Sequence, residues 1–207
     1  MRLCYQSAMI RRLGIPTLFL AAAYGLVYAL PALVLPLKAE NAVNQRADAA
    51  KSAPEILRDV EILPSEVIRA RRAILEAAMS GDIDSMRIPI EMNEIPPIFA
   101  REKLADPIAH WKAISGDGEG REILATLLQL FRAGFVHKHA GTGDAIYVWP
   151  YFAEMPIKAL TPAQEVELLT IVPPERLKAM KAAGRYDHYR IGIGHDGTWH
   201  YFVDQVD

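Results

Sequence analysis

The fold is decided by Tyr186–Val203, which reads YDHYRIGIGHDGTWHYFV. Two runs rich in β-branched and aromatic residues, Tyr186–Ile193 and Thr198–Val203, flank Gly194-His195-Asp196-Gly197. Asp-Gly between such runs is a strong hairpin signal, because tight hairpin turns need residues that tolerate positive φ. The spacing predicts an antiparallel hairpin. Side chains alternate faces along a strand. In this register Tyr189, Ile191, Ile193, Thr198, His200 and Phe202 share one face, while His188, Arg190, Trp199, Tyr201 and Val203 share the other. The first face is the more apolar, so His200 is expected to point toward the core.

Upstream, Phe135–His139 and Ala145–Trp149 read as two more strands. Ten of the 17 aromatic residues lie from Phe135 onward, which makes this the strand-rich half. The half before it reads as helical. Arg121–Ala133 places Ile123, Leu124, Leu127, Leu128, Leu130 and Phe131 on one buried helical face. Ser65 is expected to cap a helix that ends at Gly81, with Val67, Ile68, Ile74, Leu75, Ala78 and Met79 as its apolar stripe. Asp82 suits the start of a short helix toward Asn93, and Asp106-Pro107 the start of another. Thr161-Pro162-Ala163-Gln164 is a capping box opening a helix to Ile171, and Pro174–Ala183 is a further helix closed by Gly184. The expected fold is α+β: a small antiparallel sheet of about four strands packed by several helices, preceded by an N-terminal signal or anchor helix.

That N-terminal segment is the other decisive feature. Leu13–Leu37 carries no charged residue and follows Arg11-Arg12 directly. As a helix it would be about 37 Å long, against a hydrocarbon core of about 30 Å. The arginines hold the N-terminus in the cytoplasm and send the remainder across the membrane. Pro16, Pro31 and Pro36 interrupt the run, and Leu37-Lys38-Ala39 is a poor cleavage site, so both an uncleaved anchor and a cleaved signal peptide remain open. The expected organisation is a signal peptide or signal anchor at 1–37, a polar linker at 38–63 and a single α+β domain at 64–207. The expected location is the inner membrane, reached through residues 13–37, with a periplasmic body, or the periplasm after cleavage.

Splitting the chain also changes its charge. The formal net charge is −2 overall, yet residues 1–37 hold three arginines and no acidic residue, which leaves the body at −5. An acidic body gives no support to nucleic-acid binding. The only cysteine, Cys4, precedes the apolar segment, so the body has neither a disulfide nor a thiol nucleophile.

Several constellations in the body could carry chemistry. His137-Lys138-His139 would place two imidazoles on one strand face, with Asp144 nearby, which is a partial metal-ligand set; a solvated strand face has the same pattern. His200 is either a general base at the floor of a pocket or a core histidine with a satisfied ring. Glu91 and Glu94 form an i, i+3 carboxylate pair, which suits acid–base work and equally suits an exposed helix end. Tyr147, Trp149, Tyr151 and Phe152 form the densest aromatic cluster, read either as a ligand groove or as core. Ser115-Gly116-Asp117-Gly118-Glu119-Gly120 resembles a phosphate cradle in its glycines, but its two carboxylates would repel phosphate and instead suit a helix start. No G-x-S-x-G or S-x-x-K nucleophile signature is present.

Three strings, Gly116–Leu124 (GDGEGREIL), Tyr147–Ala153 (YVWPYFA) and Tyr189–Gly194 (YRIGIG) with Asp196–Trp199, resemble a family of uncharacterised exported bacterial proteins. The resemblance spans roughly Ala73 to Val203. It implies an envelope location and one intact domain, and it brings no reaction, ligand or catalytic residue. The functional expectation is therefore an exported, periplasm-facing binding or interaction domain with an envelope protein or ligand as partner and no cofactor. A metal-dependent or His/carboxylate hydrolase and a small-ligand carrier are the alternatives.

Overall fold

The structure is a computed structural model that describes residues 54–204. The chain divides into two units, Met1–Ala39 and Glu40–Asp207, and the described residues belong to the second. The expected signal or anchor segment lies outside the described residues. Among the described residues no helix is long and apolar enough to cross a membrane.

The described residues form six α-helices and a four-stranded sheet. The helices are α1 (Ser65–Met79), α2 (Arg87–Glu91), α3 (Pro107–Ile114), α4 (Arg121–Arg132), α5 (Pro162–Leu168) and α6 (Pro174–Ala183). The strands are β1 (Val136–Lys138), β2 (Ile146–Trp149), β3 (Arg190–Gly194) and β4 (Trp199–Val203). They pair in chain order, β1-β2-β3-β4, and every pair is antiparallel. The α+β class follows directly.

Local chemistry explains most element boundaries. Asp106 accepts from the N–H groups of Ile108 at 2.9 Å and Ala109 at 3.3 Å, capping α3. Thr161 and Gln164 form the reciprocal capping box of α5. Gly184, at φ +78°, ends α6 in the left-handed conformation. The glycine-rich loop before α4 is a capping device: Asp117 accepts from Ser115 Oγ and from the N–H groups of Glu119, Gly120 and Arg121. Ser65, however, does not cap α1. It is the first helical residue, and its hydroxyl donates to Glu66. The Asp82 segment is a 3₁₀ turn, Ile83–Met86, running into α2. Pro89 lies in the first turn of this helix, where its missing N–H is tolerated.

One sheet face carries Tyr147, Trp149, Ile191, Ile193, Trp199 and Phe202, all buried. α1 and α4 pack on each other, and α1 also contacts β3. Phe131 of α4 meets Trp149 edge-on at 5.3 Å, and Trp111 of α3 meets Phe202 at 5.8 Å. On the opposite face Lys138 pairs with Glu154, from the turn after β2, at 2.8 Å. Both sheet edges are extended by single bridges. Leu57 exchanges two 2.8 Å hydrogen bonds with Phe135 beside β1, and Ile98 bridges Tyr201 beside β4. Residues 54–63, placed with the linker by their position in the sequence, are thus tied to the body: Leu63 is buried, and Arg58 pairs with Glu167 at 2.7 Å.

Candidate functional site

The hairpin register corrects the expectation for His200. Arg190, Ile191 and Gly192 oppose Val203, Phe202 and Tyr201, but Ile193 opposes Trp199, so His200 is the extra residue of a β-bulge. The bulge moves Trp199 onto the core face and leaves His200 exposed. The physical reason is burial. Indole is the larger apolar group, and turning it inward removes more apolar area from water than an imidazole would. Glycines accommodate the outer face: a Cβ on Gly192 would lie 2.4 Å from the Tyr201 ring, and one on Gly194 would lie 2.7 Å from His200 Nε2 and from Asp196 Oδ1. Asp196 and His200 therefore converge on the Gly194 backbone. Asp196 also accepts from Thr198 N–H and Thr198 Oγ1, both at 2.9 Å. The Thr198 amide, followed by its hydroxyl and the nearby His200, holds the Asp196 carboxyl below the usual range.

The expected pair His137 and His139 does not share a strand face. β1 ends at Lys138, and His139 sits beyond it at φ +54°, exposed, its carbonyl accepting from Thr142 N–H and Oγ1. His137 instead lies flat on Tyr147, with ring centroids 4.2 Å apart, and His195 lies 6.3 Å from each of the two rings. Burial, with a further contribution from His195, pushes the His137 pKa down. Asp144 is exposed in the β1–β2 loop. Among the described residues no group of three or more His, Cys, Asp or Glu side chains is placed to hold a metal ion.

The aromatic cluster is core. Tyr147, Trp149, Tyr151 and Phe152 are all buried, with Phe135 tilted against Trp149 at 4.8 Å. The Tyr151 hydroxyl reaches out of the cluster and donates to Glu167 at 3.0 Å. Glu91 and Glu94 are exposed; Glu94 lines a small cleft of about 220 Å³ with Asp196, Glu66 and Arg69, and Glu91 does not.

The surface that stands out surrounds Ile98. On one side is an open apolar cleft of about 600 Å³, lined by Ile90, Ile95, Pro97, Phe99 and Leu104 among others. On the other is an open cleft of about 570 Å³ lined by Asp144, His195, Asp196, His200 and Tyr201. Ile98 lines both. Ile95 and Ile98, 75% and 59% exposed, line the apolar cleft, while Ile88 and Met92, 67% and 53% exposed, lie on and just after α2, Met92 lining the smaller cleft of about 220 Å³. Single exposed apolar residues are ordinary, whereas neighbours lining one apolar cleft, as Ile95 and Ile98 do, suit a contact surface.

This segment is pinned at both ends. Asn93 donates through Nδ2 to the carbonyls of Pro89 and Ile90, and its Oδ1 accepts from Trp199 N–H at 2.7 Å. Ile98 donates its N–H to the His200 carbonyl and accepts from Phe202 N–H, both at 2.9 Å. Pro96 and Pro97 stiffen the four residues between. The bulge at His200 is part of the same device, since Trp199, His200 and Phe202 supply the partners. Sequence reasoning nominated Asp144 and His200, the latter on the wrong face, and missed that they share a cleft with His195 and Asp196, which served only as turn residues there. It also missed Asn93, for which a polar residue ahead of two prolines was the only signal. No protein-family model, curated protein or solved structure matches the chain.

Proposed function

We propose that the chain is an exported cell-envelope protein whose body is a binding domain, with Ile95 and Ile98 as its contact surface. The observation that carries this reading is the pinning of an exposed apolar segment at Asn93 and Ile98. Leaving apolar side chains in water forgoes about 25 cal/mol per Å² of burial. Holding them rigid removes the ordering cost that a flexible loop would meet on binding. Export rests on the uncharged Leu13–Leu37 run behind Arg11-Arg12, and the resemblance to exported bacterial proteins points the same way. The body would face the periplasm, and its partner would be a component of the envelope.

A photo-crosslinking amino acid at position 95, in cells expressing the full chain, tests the reading. The expected result is a defined adduct from position 95 and none from position 166, where Val166 is also exposed and apolar. An absence of adducts at 95, or equal adducts at both positions, would refute it.

A further inference from the structure

We infer that the groove between α1 and α4 is a second binding site, for a free fatty acid. The groove is an open cleft of about 380 Å³, lined by Arg71, Leu75 and Met79 of α1 and by Leu128, Phe131 and Arg132 of α4. None of these residues lines the clefts around Ile98, so the site is independent of the contact surface proposed above. Its two ends differ in chemistry. Arg71 donates through Nη2 to the Phe131 carbonyl at 3.0 Å, and its guanidinium carbon lies 5.2 Å from the Phe131 ring centroid. Arg132 follows Phe131 directly, so both arginines stem from one end of the groove. Leu75 and Met79 lie one and two helical turns on from Arg71, and Leu128 lies one turn back from Arg132. Residues four apart stack on one helix face, so the apolar side chains lead away from the arginines. From Arg71 to Met79 the groove runs about 12 Å along the helix axis. A charged end followed by an apolar trough is the shape of an amphiphile.

The charge of the groove calls for an anionic head. The body is acidic, yet none of the lining residues is. Among the described residues neither Arg71 nor Arg132 forms an ion pair with a carboxylate, whereas Arg72, beside Arg71, pairs with Glu76 at 3.6 Å. Glu167 shares a smaller cavity with Arg132, but its oxygens already accept from Arg58 and Tyr151. The bond to Phe131 caps the end of α4 and uses Nη2 alone. Arg71 Nε is buried with no acceptor, and Nη1 has no hydrogen-bond partner among the described residues. Burial pushes the Arg71 pKa down, and no neighbouring anion opposes it. A carboxylate seated at Nη1 would offset that desolvation. Arg132, exposed at the same end, can add the planar two-pronged pairing that guanidinium makes with a carboxylate. Leucine and methionine offer a hydrocarbon chain no competing donor. A cleft of this volume falls in the range of small-molecule sites, about 300–1,000 Å³.

The test uses the full chain in isolated cell envelopes, with a diazirine-bearing dodecanoate as the probe. After irradiation, adducts within residues 54–204 should concentrate on the tryptic peptides 73–87 and 122–132, which hold Leu75, Met79 and Leu128. Excess unlabelled dodecanoate should reduce them at least fivefold, and dodecyltrimethylammonium, with the same chain and a cationic head, should leave them unchanged. Arg71→Gln would also remove the cap on α4, so Arg132→Gln and Met79→Glu, both at exposed positions, carry the test. Each should lower the adducts at least threefold with unchanged far-ultraviolet circular dichroism. No adducts in residues 54–204, or adducts scattered across them, would overturn the site. Equal competition by the cationic amphiphile, or either variant labelling like the parent, would overturn the recognition of a carboxylate head beside an apolar trough.

Discussion

The side-chain oxygen of Asn93 accepts a hydrogen bond from the backbone N–H of Trp199 at 2.7 Å, across 106 residues of sequence. This contact joins the end of α2 to the first residue of β4, where the bulge begins. Asn93→Ala would take the acceptor from the Trp199 N–H and a donor from the Pro89 carbonyl, while the Ile90 carbonyl keeps the Asn93 N–H at 3.3 Å. The expected cost is about 1–3 kcal/mol in urea unfolding, with faster amide exchange at Trp199 and through residues 94–98. Asn93→Ala with unchanged exchange at Trp199 would show that the clamp contributes nothing.

Glu167 ties the N-terminal segment of the body to β2's continuation, accepting from both Arg58 terminal nitrogens and from Tyr151. The Arg58 guanidinium, followed by the Tyr151 hydroxyl, holds its carboxyl below the ordinary 4.5. A depressed carboxyl contributes stability that is present above the unfolded-state value and is lost as pH falls through the folded one. His137 acts in a higher window. Burial and His195 depress it below 6.5, so the folded state resists protonation and stability begins to fall below that pH. Acid unfolding should therefore show two losses, one starting below about pH 6.5 and one below about 4.5. His137→Phe, which keeps a ring on Tyr147, should flatten the first, and Glu167→Gln should reduce the second, which Asp196, Asp204 and other depressed carboxyls share. Arg58 is more than half exposed, so screening limits Glu167's part of the second loss to about 1–2 kcal/mol.

Gly192 is required by a close approach. A methyl there would meet the Tyr201 ring at 2.4 Å and Ile146 Cδ1 at 2.8 Å. Gly192→Ala should destabilise by about 1–3 kcal/mol, as overpacking does. Tyr201→Ser in the same chain should relieve part of that cost, so that the two changes are non-additive in thermal unfolding. Strict additivity would mean that the ring is not what the methyl meets.

Trp149→Ala should cost about 3–5 kcal/mol, because the indole is fully buried between Phe131 and Phe135. His200→Ala should stay within about 0.5 kcal/mol, as for exposed residues free of such features. The pair separates core from surface among the residues that the sequence nominated together. A Trp149→Ala variant with wild-type melting would return the aromatic cluster to consideration as a binding groove.

The contrast shows which parts of the molecule were legible. The Asp106 cap, the Thr161–Gln164 box, the α4 stripe and the Asp-Gly turn are local, and a few adjacent residues suffice to specify each. Two faults had non-local causes. Strict alternation carried His200 inward, because a bulge depends on how Trp199 packs against the rest of the core. The HxH pattern assumed a strand through His139, but the chain turns there into a left-handed conformation stabilised by Thr142. The contact surface is illegible for the same reason. Ile95 and Ile98 look like core residues in sequence, and only the Asn93–Trp199 and Ile98–β4 bonds explain why they stay outside.

The central claim is that the clamped Ile95–Ile98 segment is covered in the cell. Its most direct measurement is the maleimide labelling rate of Ile95→Cys, in a Cys4→Ser background, in intact envelopes and after detergent solubilisation, with Val166→Cys as reference. The account predicts slow labelling at 95 in the intact envelope and at least a tenfold rise on solubilisation, while position 166 labels equally in both. Labelling at 95 that matches position 166 before and after detergent would contradict it.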